Sequence, residues 1–196
     1  MRQRAEPETH GSSASATAIR GSQASKLPYH YESRRHVSAP ASVVFAHLDD
    51  HNRLSSHMSR SSWMMAGSRM DVSVDAAKGK AVGSHIQLDG RVLGIALDVD
   101  EVVTVHEPPH CKVWETTATP RLLVIGAYRM GYEIMPDGVA SDLRVFIDYA
   151  LPETGLAKWL GRLFGRFYAR WCTEMMADDA ARQIAQASLQ ASRRQH

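Results

Sequence analysis

The stretch that decides the fold is residues 122–151, which read LLVIGAYRMGYEIMPDGVASDLRVFIDYAL. Two segments of alternating polar and apolar residues flank Pro136-Asp137-Gly138, a sequence typical of a turn. Side chains on a strand alternate between its two faces, so the pairing register decides which residues meet. One register places Arg129 opposite Asp148 and Glu133 opposite Arg144, which predicts an antiparallel hairpin with favourable charge pairs.

This register gives the hairpin one charged face and one apolar face. On the charged face the small Gly131 lies opposite Phe146. The other face carries Leu122, Val124, Gly126, Tyr128, Met130, Tyr132, Ile134, Leu143, Val145, Ile147, Tyr149 and Leu151. We expect the apolar face to be concave and buried, and the charged ladder to face solvent.

Further segments of the same period precede the hairpin, so the sequence predicts seven antiparallel strands. Their predicted bounds are Tyr29–Val37, Trp63–Val74, His85–Leu88, Arg91–His106, Cys111–Thr117, Leu122–Met135 and Ser141–Leu151. Asp89-Gly90 is a typical hairpin turn between the third and fourth strands, with Gly94 as the alternative reversal. Pro108-Pro109 ends the fourth strand.

Two short helices are predicted between the first and second strands. Ser38-Ala39-Pro40 supplies a capping hydroxyl and an early proline for the first helix. Asp49-Asp50 interrupts that helix and can cap a second one carrying Leu54 and Met58.

A long C-terminal helix is predicted from about Glu153 to Ala191, after Pro152. One side carries Leu156, Leu160, Leu163, Phe164, Phe167, Trp171 and Met175, and we expect this side to pack against the sheet. Charged residues reach the same side near Glu174, so we expect the helix to leave the sheet there and its last turns to be solvated. Gly161 and Gly165 indicate close packing or a bend.

The other side of this helix carries a basic stripe of Lys158, Arg162, Arg166 and Arg170. Such a stripe is typical of a solvated face. The alternative is transient contact with a membrane surface, because basic amphipathic helices also lie on membranes.

Length and composition restrict the function classes. The chain has 196 residues, 44% of them hydrophobic and 22% charged, which fits a single globular domain with a sizeable core. Its net charge of +2 disfavours a nucleic-acid surface. The two cysteines form neither a CxxC motif nor a disulfide framework, so we expect a reducing cytoplasm.

The first 27 residues are rich in Ser, Ala, Gly and Gln. We interpret 1–27 as a disordered low-complexity tail, or as the product of a start codon placed too far upstream, and 28–192 as one folded domain. No apolar core of a secretory signal is present in the tail, and a transit peptide is the remaining alternative.

Few residues suggest catalysis or metal binding. Glu101 shares a strand face with apolar residues, and His85 could reach the same side, but pairing with other residues explains either one. His47, His51 and His57 have partial zinc-site spacing without a Glu of an HExxH motif or a specified third ligand. We therefore assign no catalytic residue, no metal and no cofactor.

Two further groups of residues do not indicate a metal or catalytic site. His106, His110 and Cys111 form a loose cluster around Pro108-Pro109, and Cys172 is interpreted as a small core residue. No phosphate-binding glycine loop is present in the sequence.

Several segments together resemble the START-like, or SRPBCC, superfamily. They are His36-Val37-Ser38-Ala39-Pro40 with Val44-Phe45, the strand from Glu101-Val102 to Pro108-Pro109, Trp114-Glu115-Thr116, Tyr128-Arg129-Met130-Gly131-Tyr132, and the helix from Trp159 through Trp171 and Cys172. The helix is similar to that of uncharacterised bacterial members. The resemblance implies an α+β helix-grip fold: a curved seven-stranded antiparallel sheet around a long C-terminal helix, with an apolar cavity between them.

That superfamily contains carriers, sensors and enzymes, so the fold alone does not decide the function. Our leading hypothesis is a carrier or sensor of a small hydrophobic or amphipathic ligand. The candidate ligand-binding residues are Trp114, Tyr128, Tyr132, Phe164, Phe167, Trp171 and Met175. Trp63, Met64 and Met65 are a further apolar cluster, expected near the cavity mouth.

Two alternatives to the carrier hypothesis remain open. The first is an enzyme similar to polyketide aromatase/cyclases, with tyrosines, Glu101 or His85 assisting proton transfers. The second is a peripheral lipid or quinone delivery factor that docks through the basic stripe.

Overall fold

The computed structural model describes residues 27–50, 70–92, 95–117 and 120–194. Within these ranges, seven strands form one antiparallel sheet and are accompanied by two helices. The strands are β1 (Tyr29–Val37), β2 (Met70–Val74), β3 (His85–Val92), β4 (Ile95–Glu107), β5 (Cys111–Thr116), β6 (Tyr128–Asp137) and β7 (Ala140–Tyr149); the helices are α1 (Ala41–Leu48) and α2 (Gly155–Arg194). The strand order is β1-β7-β6-β5-β4-β3-β2, which confirms the predicted helix-grip architecture.

The β6–β7 hairpin has the predicted register. Arg129 lies opposite Asp148, Glu133 opposite Arg144 and Gly131 opposite Phe146. The apolar face of the hairpin is buried, with Tyr132, Leu143, Val145 and Ile147 at most 1% exposed. We call this side of the sheet, which faces α2, the inner face.

The outer face of the hairpin carries the charge pairs and one buried aromatic ring. The Arg144 guanidinium lies 4.9 Å from the centroid of the Phe146 ring, and that of Arg129 lies 5.8 Å away. Gly131 is required beneath this ring, because a Cβ there would lie 2.6 Å from the Lys112 carbonyl oxygen and 3.0 Å from Phe146. The two arginines therefore cover Phe146 while their charged groups keep contact with solvent.

The reversal between β3 and β4 does not use Asp89-Gly90, so that prediction was wrong. Asp89 pairs with Asp98 and Gly90 with Leu97 inside the ladder, and the last pair is Val92 with Ile95. The chain therefore reverses between Val92 and Ile95. The alternative reversal at Gly94 lies outside the described residues. A turn dipeptide is a local signal, and the pairing of apolar residues along two longer strands overrides it.

The start of β6 also differs from the prediction. Residues 122–127 were expected in the strand, but β6 begins at Tyr128. The preceding segment runs beneath α2 instead: a Cβ on Gly161 or on Gly165 would lie 3.1 Å from the Val124 carbonyl oxygen. The two helix glycines thus allow the close packing that their positions predicted.

Helix α1 confirms the first of the two predicted short helices. Its apolar residues Val44, Phe45 and Leu48 are buried, and the Asp49 backbone N–H closes its last turn on the Phe45 carbonyl oxygen. The predicted second helix at Leu54 and Met58 lies outside the described residues.

The first half of α2 buries a different side from the one predicted. Gly161, Gly165 and Ala169 are buried, whereas the larger apolar residues point away from the sheet. Leu156, Trp159, Leu163, Phe164 and Phe167 are 71%, 77%, 70%, 45% and 54% exposed. The physical reason is the close approach of the helix to Val124 and Leu151-Pro152, which only small residues permit.

The second half of α2 does not leave the sheet near Glu174, so this prediction was also wrong. Met176, Ala177, Ala180 and Ile184 are buried in the same cluster as α1 and β7 residues. The acidic residues that suggested solvation instead bind β1: the Tyr31 hydroxyl donates to Glu174 at 3.2 Å, and Arg35 donates to Asp178. The described residues from Ala185 to Gln190 are exposed, which confirms the solvated last turns.

Neither helix in the described part of the chain is both long and apolar enough to cross a membrane.

Candidate functional site

One carboxyl group lies on the inner face in the middle of the sheet. Glu101 is 5% exposed and shares its side of β4 with the buried residues Leu97, Val99 and Val103, as the strand period predicted. Its strand neighbours are Ile86 on β3 and Thr116 on β5. An acidic side chain in this setting loses most of its hydration.

Neutral donors replace that lost hydration. The Tyr128 hydroxyl and the Trp114 indole both donate hydrogen bonds to the Glu101 carboxyl. Burial raises the pKa of Glu101 to about 7, against the opposing effect of these two hydrogen bonds. Burial, together with the neighbouring Glu101 charge, raises the pKa of Tyr128 well above its ordinary value. The pair can therefore hold or exchange one proton near neutral pH.

Helix α2 places a second hydroxyl and a thiol near this pair. The Tyr168 hydroxyl donates a hydrogen bond to the Cys172 sulfur, one turn further along the helix. Burial raises the pKa of Cys172 to about 12, so the thiol stays protonated and is a poor nucleophile. We call Glu101, Tyr128, Trp114, Tyr168 and Cys172 the Glu101 cluster.

A second buried polar group lies at the end of α1, and we call it the Asp49 cluster. Lys112 is fully buried, and its Nζ lies 2.6 Å from Asp49 Oδ1. His106 Nε2 lies 3.2 Å from the same oxygen. Burial lowers the pKa of Lys112, while the Asp49 carboxylate acts in the opposite direction.

A β-bulge brings His106 into this cluster. The pairing of β4 with β5 shifts register between Val103 and Val105, so the side-chain alternation changes phase there. Before the shift, odd-numbered residues such as Glu101 and Val103 face inward; after it, His106 does. The His106 ring also contacts Phe45 of α1, with 5.6 Å between ring centroids.

Tyr132 lies between the two clusters. Its ring makes edge contacts with Phe45 and Trp114, at centroid distances of 5.7 and 6.2 Å. Its hydroxyl is buried and has no hydrogen-bond partner among the described residues. A buried hydroxyl without a partner is costly, and such groups in folded proteins are commonly satisfied by a bound molecule or water.

Comparison with protein families places the chain in a known family. The family model described as polyketide cyclase / dehydrase and lipid transport matches residues 29–189. The chain belongs to this family. A search of curated proteins found no match to the sequence.

Solved structures of other proteins share the helix-grip fold of this polyketide cyclase / lipid transport family member. A Thermus thermophilus protein has a TM-score of 0.59 at 12% identity, covering 82% of this chain and 99% of its own. The Zhui aromatase/cyclase of Streptomyces sp. has a TM-score of 0.59 at 14% identity, covering 80% and 93%. Truncated norcoclaurine synthase of Thalictrum flavum has a TM-score of 0.53 at 17% identity, covering 80% and 92%.

The predicted ligand-binding residues separate into two groups in this family member. Trp114, Tyr128 and Tyr132 lie together on the inner face and are buried. Trp171 and Met175 are partly buried on α2, whereas Phe164 and Phe167 are exposed on its outer side. The structure thus brings the three sheet residues together and separates Phe164 and Phe167 from them, because the buried side of α2 was wrongly assigned. The role of these residues in ligand binding stays a prediction.

The other sequence candidates lie away from the inner face. His85 is exposed and lies 3.1 Å from Asp100 on the outer side, so it is removed from the list of acid–base candidates. Helix α1 ends at Leu48, just after His47, and His51 and His57 lie outside the described residues. Trp63, Met64 and Met65 lie outside them as well.

One group of potential metal ligands was not anticipated from the sequence. Donor atoms of His36, Asp137 and Asp142 lie within 4.8 Å of one another at the edge of β1, β6 and β7. All three side chains are exposed, and His36 already contacts Asp142 at 3.0 Å. Exposed groups of this kind are common on protein surfaces and do not by themselves indicate a metal site.

The Asp49 cluster was missed because its members are far apart in the sequence. One signal could have placed Lys112: it is two residues from Trp114 on β5, and residues two apart share a strand face. A lysine on the same inward face as Trp114, a candidate ligand-binding residue, requires a buried acidic partner. Nothing local pointed to Asp49, which lies 63 residues away.

Proposed function

We propose that this protein binds a small hydrophobic or amphipathic molecule between the inner face of the sheet and α2. The observation that carries the proposal is the Glu101 cluster. It places a protonatable carboxyl and a tyrosine hydroxyl among buried apolar side chains, a combination suited to a ligand with an apolar body and one polar end. The family description, which includes lipid transport, supports the same reading.

The ligand class follows from the partners of the carboxyl. Glu101 has neutral hydrogen-bond donors and a pKa of about 7, so a protonated carboxyl can donate to a carbonyl or hydroxyl oxygen of the ligand. The Tyr132 hydroxyl, for which the described part of the chain provides no hydrogen-bond partner, offers a second donor. A quinone, a fatty acid or a polyketide-like chain carries oxygens of this kind on an apolar skeleton.

The first experiment is native mass spectrometry of the full chain, followed by organic extraction and identification of the bound molecule. A stoichiometric lipid, quinone or fatty acid would support the proposal. An empty protein would be tested with anilinonaphthalene sulfonate as a fluorescent probe and with laurate as its competitor. Failure of both to bind would contradict it.

A matched pair of variants then locates the binding site. Met130 is partly buried on the inner face of β6, and Met135 is 52% exposed on the same strand. Met130→Trp adds bulk to the inner face and should weaken probe binding by about tenfold or more, while Met135→Trp should leave it unchanged. Equal affinities of the two variants would place the binding site elsewhere.

A second candidate function is cyclase-like catalysis, favoured by the pKa of Glu101. A carboxyl with a pKa near 7 is suited to proton transfer to or from a carbon chain held in a water-poor site. The test is incubation with a poly-β-ketone thioester and chromatography of the products. Glu101→Gln should abolish cyclised products, and Glu107→Gln, which changes an exposed acid on the same strand, should preserve them. Equal products with and without protein would contradict this function.

A further inference from the structure

The first half of α2 exposes a continuous apolar surface. Leu156, Trp159 and Leu163 are each at least 70% exposed, and Phe164 and Phe167 are about half exposed. A single exposed apolar side chain is ordinary on a protein surface, but a contiguous row marks an interaction site. We call these five residues the apolar stripe.

Helix geometry shows that the stripe faces directly away from the sheet. At 100° per residue, Leu156, Leu163 and Phe167 project within about 40° of one another. Gly165 projects about 180° from Leu156, and it is buried against Leu151 and Val124. The small residues thus pack the helix against the segment beneath it, and the large apolar residues face solvent.

The charge beside the stripe is uniformly positive. Residues 155–173 contain Lys158, Arg162, Arg166 and Arg170 and no acidic residue, although the whole chain has a net charge of only +2. All four basic side chains are exposed. Arg170 pairs with Glu174 at 3.0 Å, at the end of this segment. At 100° per residue, Arg162, Arg166 and Arg170 project about 120°, 80° and 40° from Leu156, all on the same flank of the stripe. Lys158 projects about 160° from Leu156 and is not part of this flank. Three cations and the apolar groups therefore face the same surroundings, and we call these three arginines the basic flank.

We propose that the apolar stripe and its basic flank dock the protein on an anionic lipid surface. An amphipathic helix with a basic flank and an exposed tryptophan has the features that favour the interface between lipid headgroups and acyl chains. The charges argue against a second copy of the chain as the occupant, because pairing two such faces would bring two rows of cations together. The proposal goes beyond ligand binding and does not depend on it.

The test is co-sedimentation of the full chain with lipid vesicles. The vesicles contain phosphatidylcholine alone, or phosphatidylcholine mixed with an equal amount of phosphatidylglycerol. We expect binding to the anionic vesicles only, and weaker binding at high salt because salt screens the cations. Absence of binding to the anionic vesicles at low salt would overturn the proposal.

Two double variants separate the apolar and the charge contributions. Trp159→Ser with Leu163→Ser, and Arg162→Glu with Arg166→Glu, should each reduce vesicle binding by about tenfold or more. The control is Leu189→Ser with Arg193→Glu, which changes exposed residues in the last turns of the same helix and should bind as the wild type does. Equal loss in the control would show a nonspecific effect and would overturn the assignment to this face.

Light scattering after size-exclusion chromatography tests the competing occupant. A monomeric wild type supports the proposal. A wild-type dimer that becomes monomeric in the Trp159→Ser, Leu163→Ser variant would assign the stripe to self-association and would overturn lipid docking.

Circular dichroism melting of every variant checks that the exposed substitutions leave the fold intact. Probe binding at the inner face should be the same in all of them, which keeps this test separate from that of the proposed function.

Discussion

The Asp49 cluster and the Glu101 cluster bury the same chemical group in opposite ways. Asp49, at the end of α1, is 7% exposed, and Glu101, on the inner face of β4, is 5% exposed. Asp49 faces a cation, the fully buried Lys112, at 2.6 Å. Glu101 receives hydrogen bonds from neutral donors, the Tyr128 hydroxyl and the Trp114 indole.

The difference separates a structural carboxylate from a candidate functional one. In the Asp49 cluster two opposite charges compensate each other and connect the end of α1 to β5, so neither can change its charge without loss of stability. In the Glu101 cluster the carboxyl can be neutral or charged with the same neighbours. A group that changes protonation near neutral pH, and whose charge is not required by a buried partner, is suited to binding or catalysis.

The largest change in stability is expected from Lys112→Met. This change leaves the buried Asp49 carboxylate without its cation, and we expect the free energy of unfolding to fall by about 3–5 kcal/mol. Urea denaturation followed by circular dichroism measures it. Lys80→Met, which alters an exposed lysine, is the control and should change stability by less than about 0.5 kcal/mol.

A double variant checks the cause of that loss. Combining Lys112→Met with Asp49→Asn removes the uncompensated charge and should recover part of the lost stability. If the double variant were less stable than Lys112→Met alone, the ion pair would not be the reason for the burial of Lys112.

The next largest effect concerns the pH dependence of stability. Part of this dependence comes from Glu101, and Glu101→Gln should remove that part. The difference between an ordinary Glu pKa of 4.5 and about 7 in the folded chain corresponds to about 3 kcal/mol. Between these pH values the folded chain holds more protons at this carboxyl than the unfolded chain does. The contribution of Glu101 to the free energy of unfolding therefore falls as pH rises from 4.5 to about 7.

Denaturation curves across that pH range measure the effect. Glu101→Gln should become progressively more stable relative to the wild type as pH rises, because Gln stays neutral. Glu107→Gln, an exposed acid on the same strand, should follow the wild-type profile. Parallel profiles for Glu101→Gln and the wild type would mean that Glu101 is not the group that titrates near neutral pH.

The two clusters also show what could be predicted from the sequence. The side of β4 that carries Glu101 follows from strand alternation alone, and so does the register of the β6–β7 hairpin, since a slip by one residue would move every apolar side chain to the wrong face. The hydrogen bond from Tyr128 to Glu101 depends on the order of the strands in the sheet, which local periodicity does not contain. The bulge that turns His106 inward has no local signal either.

Helix α2 shows a different reason for failure. The prediction assumed that the side with the largest apolar residues is the buried side. At Gly161 and Gly165 the distance between the helix and the segment beneath it decided the outcome, and only glycine fits there. The acidic residues Glu174 and Asp178 were interpreted as solvated because their partners, Tyr31 and Arg35, are distant in the sequence.

A smaller effect is expected from Tyr128→Phe, which removes the hydroxyl that donates to Glu101. The free energy of unfolding should fall by about 1 kcal/mol when Glu101 is neutral and by more when it is charged, because hydrogen bonds to charged groups are stronger. Since this hydrogen bond lowers the pKa of Glu101, its loss should also raise that pKa further. Denaturation at about pH 5 and about pH 8 measures the difference, and equal losses at both would contradict the assignment of the bond to Glu101.

The smallest effect should come from the matched change on the same strand, Tyr132→Phe. Tyr128 and Tyr132 are both buried on the inner face of β6, but the Tyr132 hydroxyl has no hydrogen-bond partner among the described residues. Phenylalanine keeps the ring contacts with Phe45 and Trp114 and removes only the unsatisfied hydroxyl. The ligand-free variant should therefore be as stable as the wild type, or up to about 1 kcal/mol more stable.

A bound ligand that accepts a hydrogen bond from this hydroxyl reverses the sign of the stability difference. The wild type then gains more thermal stability from the ligand than the variant does. A loss above about 1 kcal/mol in the ligand-free variant would show that the hydroxyl is already satisfied, and Tyr132 would then belong with the structural groups.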